Sequence, residues 1–210
     1  MSLIDSTYFI GDIALPNLDE VSNSFADFIT RYETELLKKL LGYTLWKEFT
    51  DALDAGSPAQ KWVDLRDGAE FSFEFEGVTV TTKWGGLINT DLESVIAYYV
   101  YYKYRQINLS TTTSINDVVG LPENATKVND VRKMAYAWNE MLKLYGDLYS
   151  YVPEWMVNTG ISQLKWFYKY DSNYQHYNDE PSAYNFILAN RTDYDNWVFE
   201  PLERLNEFGI

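Results

Sequence analysis

The sequence predicts a mostly α fold: a helical bundle of about four to five helices with one inserted β-hairpin and extended terminal arms. Two observations support this. Apolar residues recur every three or four positions in several stretches, which is typical of amphipathic helices. One stretch near residues 70–83 alternates with a period of two instead, which is typical of strands. A chain of 210 residues can bury a sizeable core without disulfide or metal support.

The first half of the chain predicts one long helix and two shorter ones. Asn17 is a candidate N-cap for the long helix, and Gly42 is its expected end. Thr44 is expected to cap the second helix, which Gly56 ends. Ser57 and Pro58 are expected to open the third. The apolar stripe that predicts the long helix consists of Leu18, Val21, Phe25, Phe28, Tyr32 and Leu36.

The hairpin is predicted by three phenylalanines, Phe71, Phe73 and Phe75, which alternate with polar residues. Glu76 and Gly77 form the expected turn. Because an isolated hairpin is marginally stable in water, the phenylalanine face is expected to lie on helices or on a neighbouring chain.

The second half predicts two further long helices and one short helix. Thr90 is the expected cap of a helix that is apolar or aromatic around more than half its surface, so it is central in a bundle or shared with a neighbour. Residues 110–126 read as a surface loop. Asn124 or Thr126 is expected to cap the next helix, and Pro181 with Ser182 to open the last one.

Three parts of the chain are expected to differ in role. Residues 1–16 are predicted to be an extended N-terminal arm, residues 17–170 a helical domain, and residues 171–210 a linker, a short helix and a docking arm. The apolar side chains of that arm must pack on this domain or on a partner. Together with the three hairpin phenylalanines, the residues predicted to bind a partner are Trp197, Phe199, Leu202, Leu205, Phe208 and Ile210.

The sequence offers little that predicts catalysis or cofactor binding. It has no cysteine, which excludes structural disulfides, thiolate catalysis and cysteine-based zinc sites. Its one histidine, His176, lies in a polar segment, where a solvated side chain is the usual state. Asp193, Asp195 and Glu200 flank Trp197 in a pattern that glycoside hydrolases can use, but solvated acids beside aromatic anchors are favoured. No catalytic, cofactor-binding or metal-binding residue is predicted.

The net charge of −14 disfavours binding to free nucleic acid, because such a surface gains no net counterion release. An acidic surface could still line a channel through which DNA slides, or could simply keep the protein soluble. The N-terminus does not read as a signal peptide, and no apolar run approaches the roughly 18 residues of a membrane span. We therefore expect a protein made in a cytoplasm and bound to no membrane.

Several stretches, taken in order, resemble one family. They are FITRYETELLKKLLGYTLWKEF, the turn WVDLRDG, the hairpin, KWGGLINTDLESVIAYYVYYKY and the closing PSAYNFILANRTDYDNWVFEPLERLNEFGI. Over most of its length the chain resembles the head–tail connector, or adaptor, proteins of tailed bacteriophages, of the kind found in Bacteroidetes and crAss-like phages.

The resemblance implies a structural virion protein without enzyme activity, located at the neck, the head–tail junction. Such proteins form a homo-oligomeric ring, commonly of twelve subunits, beneath the portal protein. The ring extends the DNA channel, through which DNA passes without sequence recognition, and it docks the next neck or tail protein. Alternatives are a tail-completion or stopper protein of the neck, a glycan-binding or glycan-cleaving protein, and a cytoplasmic helical protein whose arm completes its own core.

Overall fold

The fold class predicted from the sequence, a helical bundle with an inserted β-hairpin, is confirmed by a computed structural model. The structure describes residues 2–15, 22–75, 78–89, 91–108, 111–112, 117–118, 130–146 and 182–202. Within these ranges the helices are α1 (Ser22–Leu41), α2 (Tyr43–Asp54), α3 (Gln60–Asp67), α4 (Val95–Asn108), α5 (Asp130–Tyr145) and α6 (Ala183–Ala189). The strands are β1 (Ala69–Phe75), β2 (Val78–Trp84), β3 (Thr111–Thr112) and β4 (Asp117–Val118).

Helix α1 buries most of the described part of the apolar stripe that predicted it. Phe25, Tyr32 and Leu36 are buried and Phe28 is partly buried against the core, and their spacings of three and four place them on one face. The helix ends at Leu41, directly before Gly42, as predicted. Gly42 has a φ of 75° and a ψ of 161°, so it does not adopt the αL conformation usual for such a terminator. The proposed cap, Asn17, lies outside the described residues.

Helix α4 is central in the bundle, as its aromatic surface predicted. It packs against both α1 and α5. On the α1 side, the Tyr104 ring lies 5.3 Å from that of Phe25, and Tyr99 donates a hydrogen bond to Glu35. On the α5 side, the ring of Tyr102 lies 4.6 Å from that of Trp138.

The predicted start of α4 at Thr90 is wrong, because the helix begins at Val95. Asn89 instead accepts a hydrogen bond from the Asp91 N–H, at 2.7 Å. Leu92 then adopts a φ of 63°, which a helix cannot contain. Ser94 acts as the cap, since its Oγ accepts from the Ile96 N–H at 3.1 Å and donates to the Leu87 carbonyl at 2.6 Å. Two local polar turns therefore displace the helix start by one turn.

The other boundaries differ from the predictions by smaller amounts. Helix α2 begins at Tyr43, directly after Gly42, and not after a Thr44 cap. Helix α3 begins at Gln60, two residues beyond Pro58. Within the segment predicted as a surface loop, β3 and β4 pair antiparallel. The part of α5 that is described begins at Asp130 and ends before Gly146.

The hairpin packs on the chain's own helix α6. Strands β1 and β2 pair antiparallel, with Phe71 opposite Thr82 and Phe73 opposite Val80. Phe71 is buried, and its ring meets the Phe186 ring edge-on at 5.5 Å. Of the two expected locations for the phenylalanine face, helices of the same chain or a neighbouring chain, this conformation adopts the first.

The N-terminal residues 2–15 are not extended throughout, because they form two 3-10 turns at Ser6–Tyr8 and Gly11–Ile13. Ile4, Phe9, Ile13 and Leu15 are buried in the core. These apolar positions match neither a helical nor a strand period, so sequence periodicity could not reveal that the segment is part of the fold.

Candidate partner-docking surface

We call residues 182–202 the C-terminal segment. Helix α6 opens it, and Ser182 caps this helix by accepting a hydrogen bond from the Asn185 N–H at 3.3 Å. The prediction that Ser182 opens the last helix is therefore confirmed. A 3-10 turn, Arg191–Asp193, follows the helix, and the chain then runs without regular structure to Leu202.

Past Tyr194, the C-terminal segment crosses the carboxyl end of α1. The last carbonyls of a helix have no partner within it. Here the Leu40 carbonyl accepts the Trp197 indole N–H at 2.7 Å. The Leu41 and Lys39 carbonyls accept the backbone N–H groups of Val198 and Glu200, at 3.3 and 2.9 Å. The segment is therefore the C-cap of α1, supplied from a distant part of the sequence.

Aromatic packing holds the segment against α5. The Phe199 ring lies 5.0 Å from the Tyr145 ring of α5. Within the segment, the Tyr184 ring of α6 lies 5.2 Å from the Trp197 ring and 4.7 Å from the Phe199 ring. The Tyr145 hydroxyl donates to the Glu200 carbonyl at 2.6 Å. Burial raises the pKa of Tyr145 above its usual range, so the hydroxyl keeps the proton that this hydrogen bond requires.

Two glycines allow the segment to approach closely. A Cβ on Gly42 would lie 2.8 Å from the Cβ of Val198, and a Cβ on Gly146 would lie 2.6 Å from the Cβ of Tyr184. Real Cβ atoms do not approach so closely. Both helix terminators therefore have a second role, which is to make room for the C-terminal segment.

A second anchor lies at α3. The buried Tyr194 hydroxyl donates to the Lys61 carbonyl at 2.7 Å, and the Lys61 ammonium donates to the Asp193 carbonyl at 2.7 Å. The same ammonium lies 4.5 Å from the centre of the Trp62 ring, a cation–π contact. Burial raises the pKa of Tyr194. The segment is thus fixed by hydrogen bonds to three helices, α1, α3 and α5.

These contacts correct the prediction of a docking arm over residues 192–202. Trp197 is only 7% exposed, and Phe199 and Leu202 pack against the core of the same chain. The sequence also left open that these side chains are buried within their own domain. Burial there removes their apolar surface from water, and the same segment donates hydrogen bonds to the last carbonyls of α1. Leu205, Phe208 and Ile210 lie outside the described residues, and their predicted role in binding a partner stays a prediction.

Two of the three hairpin phenylalanines also pack within the same chain, and the third lies outside the described part. Phe71 is buried and Phe73 is partly buried against the core, while the side chain of Phe75 lies outside the described part. The Phe71 ring meets the Phe186 ring of α6, which belongs to the C-terminal segment.

The pattern of acids around Trp197 does not form a sugar-binding platform. The Trp197 ring faces the core, Glu200 forms an ion pair with Lys39, and the Asp195 side chain is exposed. Among the described residues, no group of three or more histidine, cysteine, aspartate or glutamate side chains could hold a metal ion. His176 lies outside them.

One buried acid, Glu33, is not among the residues that the sequence singled out, and it is 5% exposed. Its carboxylate accepts hydrogen bonds from the Ser2 hydroxyl at 2.8 Å and from the Leu3 N–H at 2.9 Å. Burial raises the pKa of Glu33, and these hydrogen bonds oppose that rise. Glu33 falls four residues after Ile29 and three before Leu36, on the buried face of α1. This position in the sequence could have indicated that its side chain is buried.

No protein-family model, curated protein or solved structure matches the chain. Among the helices described, none combines the length and apolar character needed to cross a membrane.

Proposed function

We propose that the protein is a structural virion protein, a subunit of a ring that sits between the portal and the tail of a tailed bacteriophage. Its partners are further copies of the same chain, the portal protein, and a neck or tail protein. The observation that carries the proposal is the ordered set of sequence stretches that resembles the connectors. A helical bundle with one inserted hairpin is also the fold that the resemblance implies.

Exposed apolar side chains support a role in assembly. Tyr43 and Val198 are 65% and 66% exposed, and Val198 lies against Gly42, the sequence neighbour of Tyr43. Ile10 and Ile107 are each 51% exposed. Large apolar groups grouped on a surface mark contacts with other proteins more often than single ones do.

Charge supports a role around DNA that does not involve gripping it. With 31 acidic and 17 basic residues, the chain carries a net negative charge that repels the phosphate backbone. A ring of such subunits gains no counterion-release energy from the duplex. DNA can therefore pass through without being held.

Electron microscopy of the chain with the portal protein of the same phage tests the proposal. We expect negative-stain images to show ring-shaped density stacked on one end of the portal, with the portal alone as control. Binding to a tail protein but not to the portal would favour the stopper alternative. No binding to either protein, at concentrations where the portal itself is assembled, would contradict the proposal.

A further inference from the structure

A cavity of about 460 Å³ lies between α1 and α2, and residues Ser2 and Leu3 of the N-terminal segment border it. We call it the α1–α2 cavity. Its volume is within the range of sites that enclose a small molecule, about 300–1,000 Å³. Six of the residues that line it are apolar and seven are polar. A ligand that fits this lining therefore needs both a hydrocarbon part and polar groups.

The hydroxyl groups of the lining offer mainly acceptor atoms. Thr30 donates its hydroxyl hydrogen to a backbone carbonyl of α1 at 3.0 Å, and Thr50 donates to one of α2 at 3.1 Å. The Ser2 hydroxyl donates to the Glu33 carboxylate at 2.8 Å. Because a hydroxyl has one hydrogen, these three oxygens can form a further hydrogen bond only as acceptors. A ligand in the cavity must then supply the donors.

Two carboxylates give the lining its negative charge. Asp54 lies at an exposed position, whereas Glu33 is only 5% exposed. In the described part of the chain, no lysine or arginine side chain forms an ion pair with Glu33. Burial raises the pKa of Glu33, while the hydrogen bonds from the N-terminal residues and the charge of the amino terminus oppose that rise. A positive charge on a ligand would further stabilise the ionised carboxylate.

The cationic residue of the lining, Arg66, is already paired. Its Nε and Nη2 atoms donate to the two carboxylate oxygens of Asp67, at 2.6 and 2.7 Å. The charge of Asp67 offsets that of Arg66, so Glu33 and Asp54 set the sign of the charge in the cavity. An anion would therefore be repelled, and a neutral apolar molecule would leave the acceptors without donors.

We propose that the α1–α2 cavity binds a small aliphatic amine, a molecule with one or two ammonium groups on a short hydrocarbon chain. An ammonium group has three hydrogens to donate, which suits Glu33 and the hydroxyl oxygens beside it. A second ammonium group reaches Asp54 at the exposed edge. The hydrocarbon chain packs against apolar residues of the lining such as Leu37 and Leu53. This site goes beyond the connector function and does not depend on ring assembly.

Isothermal titration calorimetry of the full-length chain with 1,4-diaminobutane tests the site. We expect one diamine to bind per chain. The diol of the same length, 1,4-butanediol, should bind at least about tenfold more weakly, because hydrogen bonds to charged groups are lost. The net charge of −14 also attracts a diamine to the protein surface. Titration at physiological salt, where the screening length is about 8 Å, reduces that background.

Two substitutions separate the cavity from the general surface charge. Thr34→Val removes a hydroxyl of the lining, keeps the shape of the side chain and changes no charge. Asp54→Asn removes one charge at the edge of the cavity, and Asp51→Asn removes one from the exposed surface of the same helix. We expect Thr34→Val and Asp54→Asn each to weaken diamine binding by at least about threefold, and Asp51→Asn to leave it nearly unchanged.

Glu33→Gln tests the buried carboxylate itself and should weaken binding by at least about tenfold. Circular dichroism shows whether this variant is folded, and Thr34→Val carries the test if it is not. Equal losses for Asp51→Asn and Asp54→Asn, or an unchanged affinity in Thr34→Val, would overturn the site. So would binding of the diol as tight as that of the diamine, or full displacement of the diamine by an equal concentration of Mg²⁺.

Discussion

The indole N–H of Trp197 donates to the carbonyl of Leu40, 157 residues earlier in the sequence, at 2.7 Å. This contact joins the end of the chain to the end of its first long helix. Removing the Trp197 ring should leave the buried Leu40 carbonyl without a donor and a cavity where the ring was. Trp197→Phe removes mainly the donor, and Trp197→Ala removes both.

We expect Trp197→Phe to lower the free energy of unfolding by about 1–3 kcal/mol, the cost of a buried polar group without a partner. Trp197→Ala should lower it by about 3–5 kcal/mol. Urea denaturation followed by circular dichroism measures both. The neighbouring Asn196→Ala, at an exposed position, is the control and should change stability by under about 0.5 kcal/mol. Equal effects for the three variants would show that the ring is not an anchor.

The second prediction compares two glycines with almost equal φ angles. Gly42 and Gly56 have φ values of 75° and 76°, and a Cβ in the left-handed region costs roughly 1–2 kcal/mol. At Gly42 ψ is 161°, a combination that essentially only glycine adopts, so backbone strain adds there to the effect of the contact. Only at Gly42 does the new Cβ meet another atom, the Cβ of Val198 at 2.8 Å, whereas at Gly56 nothing lies within 4 Å. Gly42→Ala should therefore be the more destabilising in urea denaturation, and equal losses would mean that the C-terminal segment is not seated against Gly42.

The third prediction concerns two tyrosine hydroxyls with different acceptors. Tyr99 donates to the Glu35 carboxylate and Tyr145 donates to a backbone carbonyl, both at 2.6 Å. Burial acts to raise the pKa of Glu35, but the hydrogen bond from Tyr99 and the charge of Lys103 outweigh it, so the pKa is lowered. A lowered pKa means that this stabilisation is present at neutral pH and is lost as the pH falls through the folded-state value.

We therefore expect the cost of Tyr99→Phe to be about 1.5–3 kcal/mol at neutral pH, as for a bond to a charged group. It should shrink as the solution is acidified below the ordinary pKa of 4.5. The cost of Tyr145→Phe should be about 0.5–1.5 kcal/mol and should stay constant with pH. Unfolding measured at several pH values for both variants and the wild type gives these differences, and a constant cost for Tyr99→Phe would contradict the pairing with an ionised Glu35.

The fourth prediction concerns Glu33, whose pKa is raised chiefly by burial. Between the ordinary value of 4.5 and the raised one, the folded chain binds more protons than the unfolded chain. Stability from this group is therefore complete below 4.5 and is lost as the pH rises through the folded-state pKa. Glu33→Gln removes the titration, so the stability of the wild type relative to this variant should fall as the pH rises through that window. A difference that rises with pH in equilibrium unfolding would show that the hydrogen bonds from the N-terminal residues dominate over burial.

Local patterns in the sequence were enough to predict much of the fold. The stripe from Phe25 to Leu36 defined α1, the alternating phenylalanines defined the hairpin, and Ser182 marked the start of α6. Local capping rules predicted the start of α4 at Thr90, one turn too early. They do not account for the side-chain turns that Asn89 and Ser94 form before the helix begins.

The candidate site was harder to predict, because its contacts are not local. Nothing in the sequence near Trp197 indicates that its partner is the carbonyl of Leu40, since backbone acceptors leave no trace in the side-chain pattern. The apolar character of residues 197–202 correctly indicated burial, but the choice between this domain and a neighbour depended on the open end of α1.

A pair of truncations tests most directly the claim that the segment up to Leu202 completes the fold and that assembly depends on the residues beyond it. The variant lacking residues 203–210 keeps the contacts of Tyr194, Trp197 and Glu200 with the helices. It should therefore unfold within about 1 kcal/mol of the wild type, yet it should form no ring on the portal. The variant lacking residues 192–210 should be strongly destabilised, because it uncovers the end of α1 and the Tyr145 hydroxyl. Normal ring assembly by the shorter truncation, or wild-type stability in the longer one, would contradict the account.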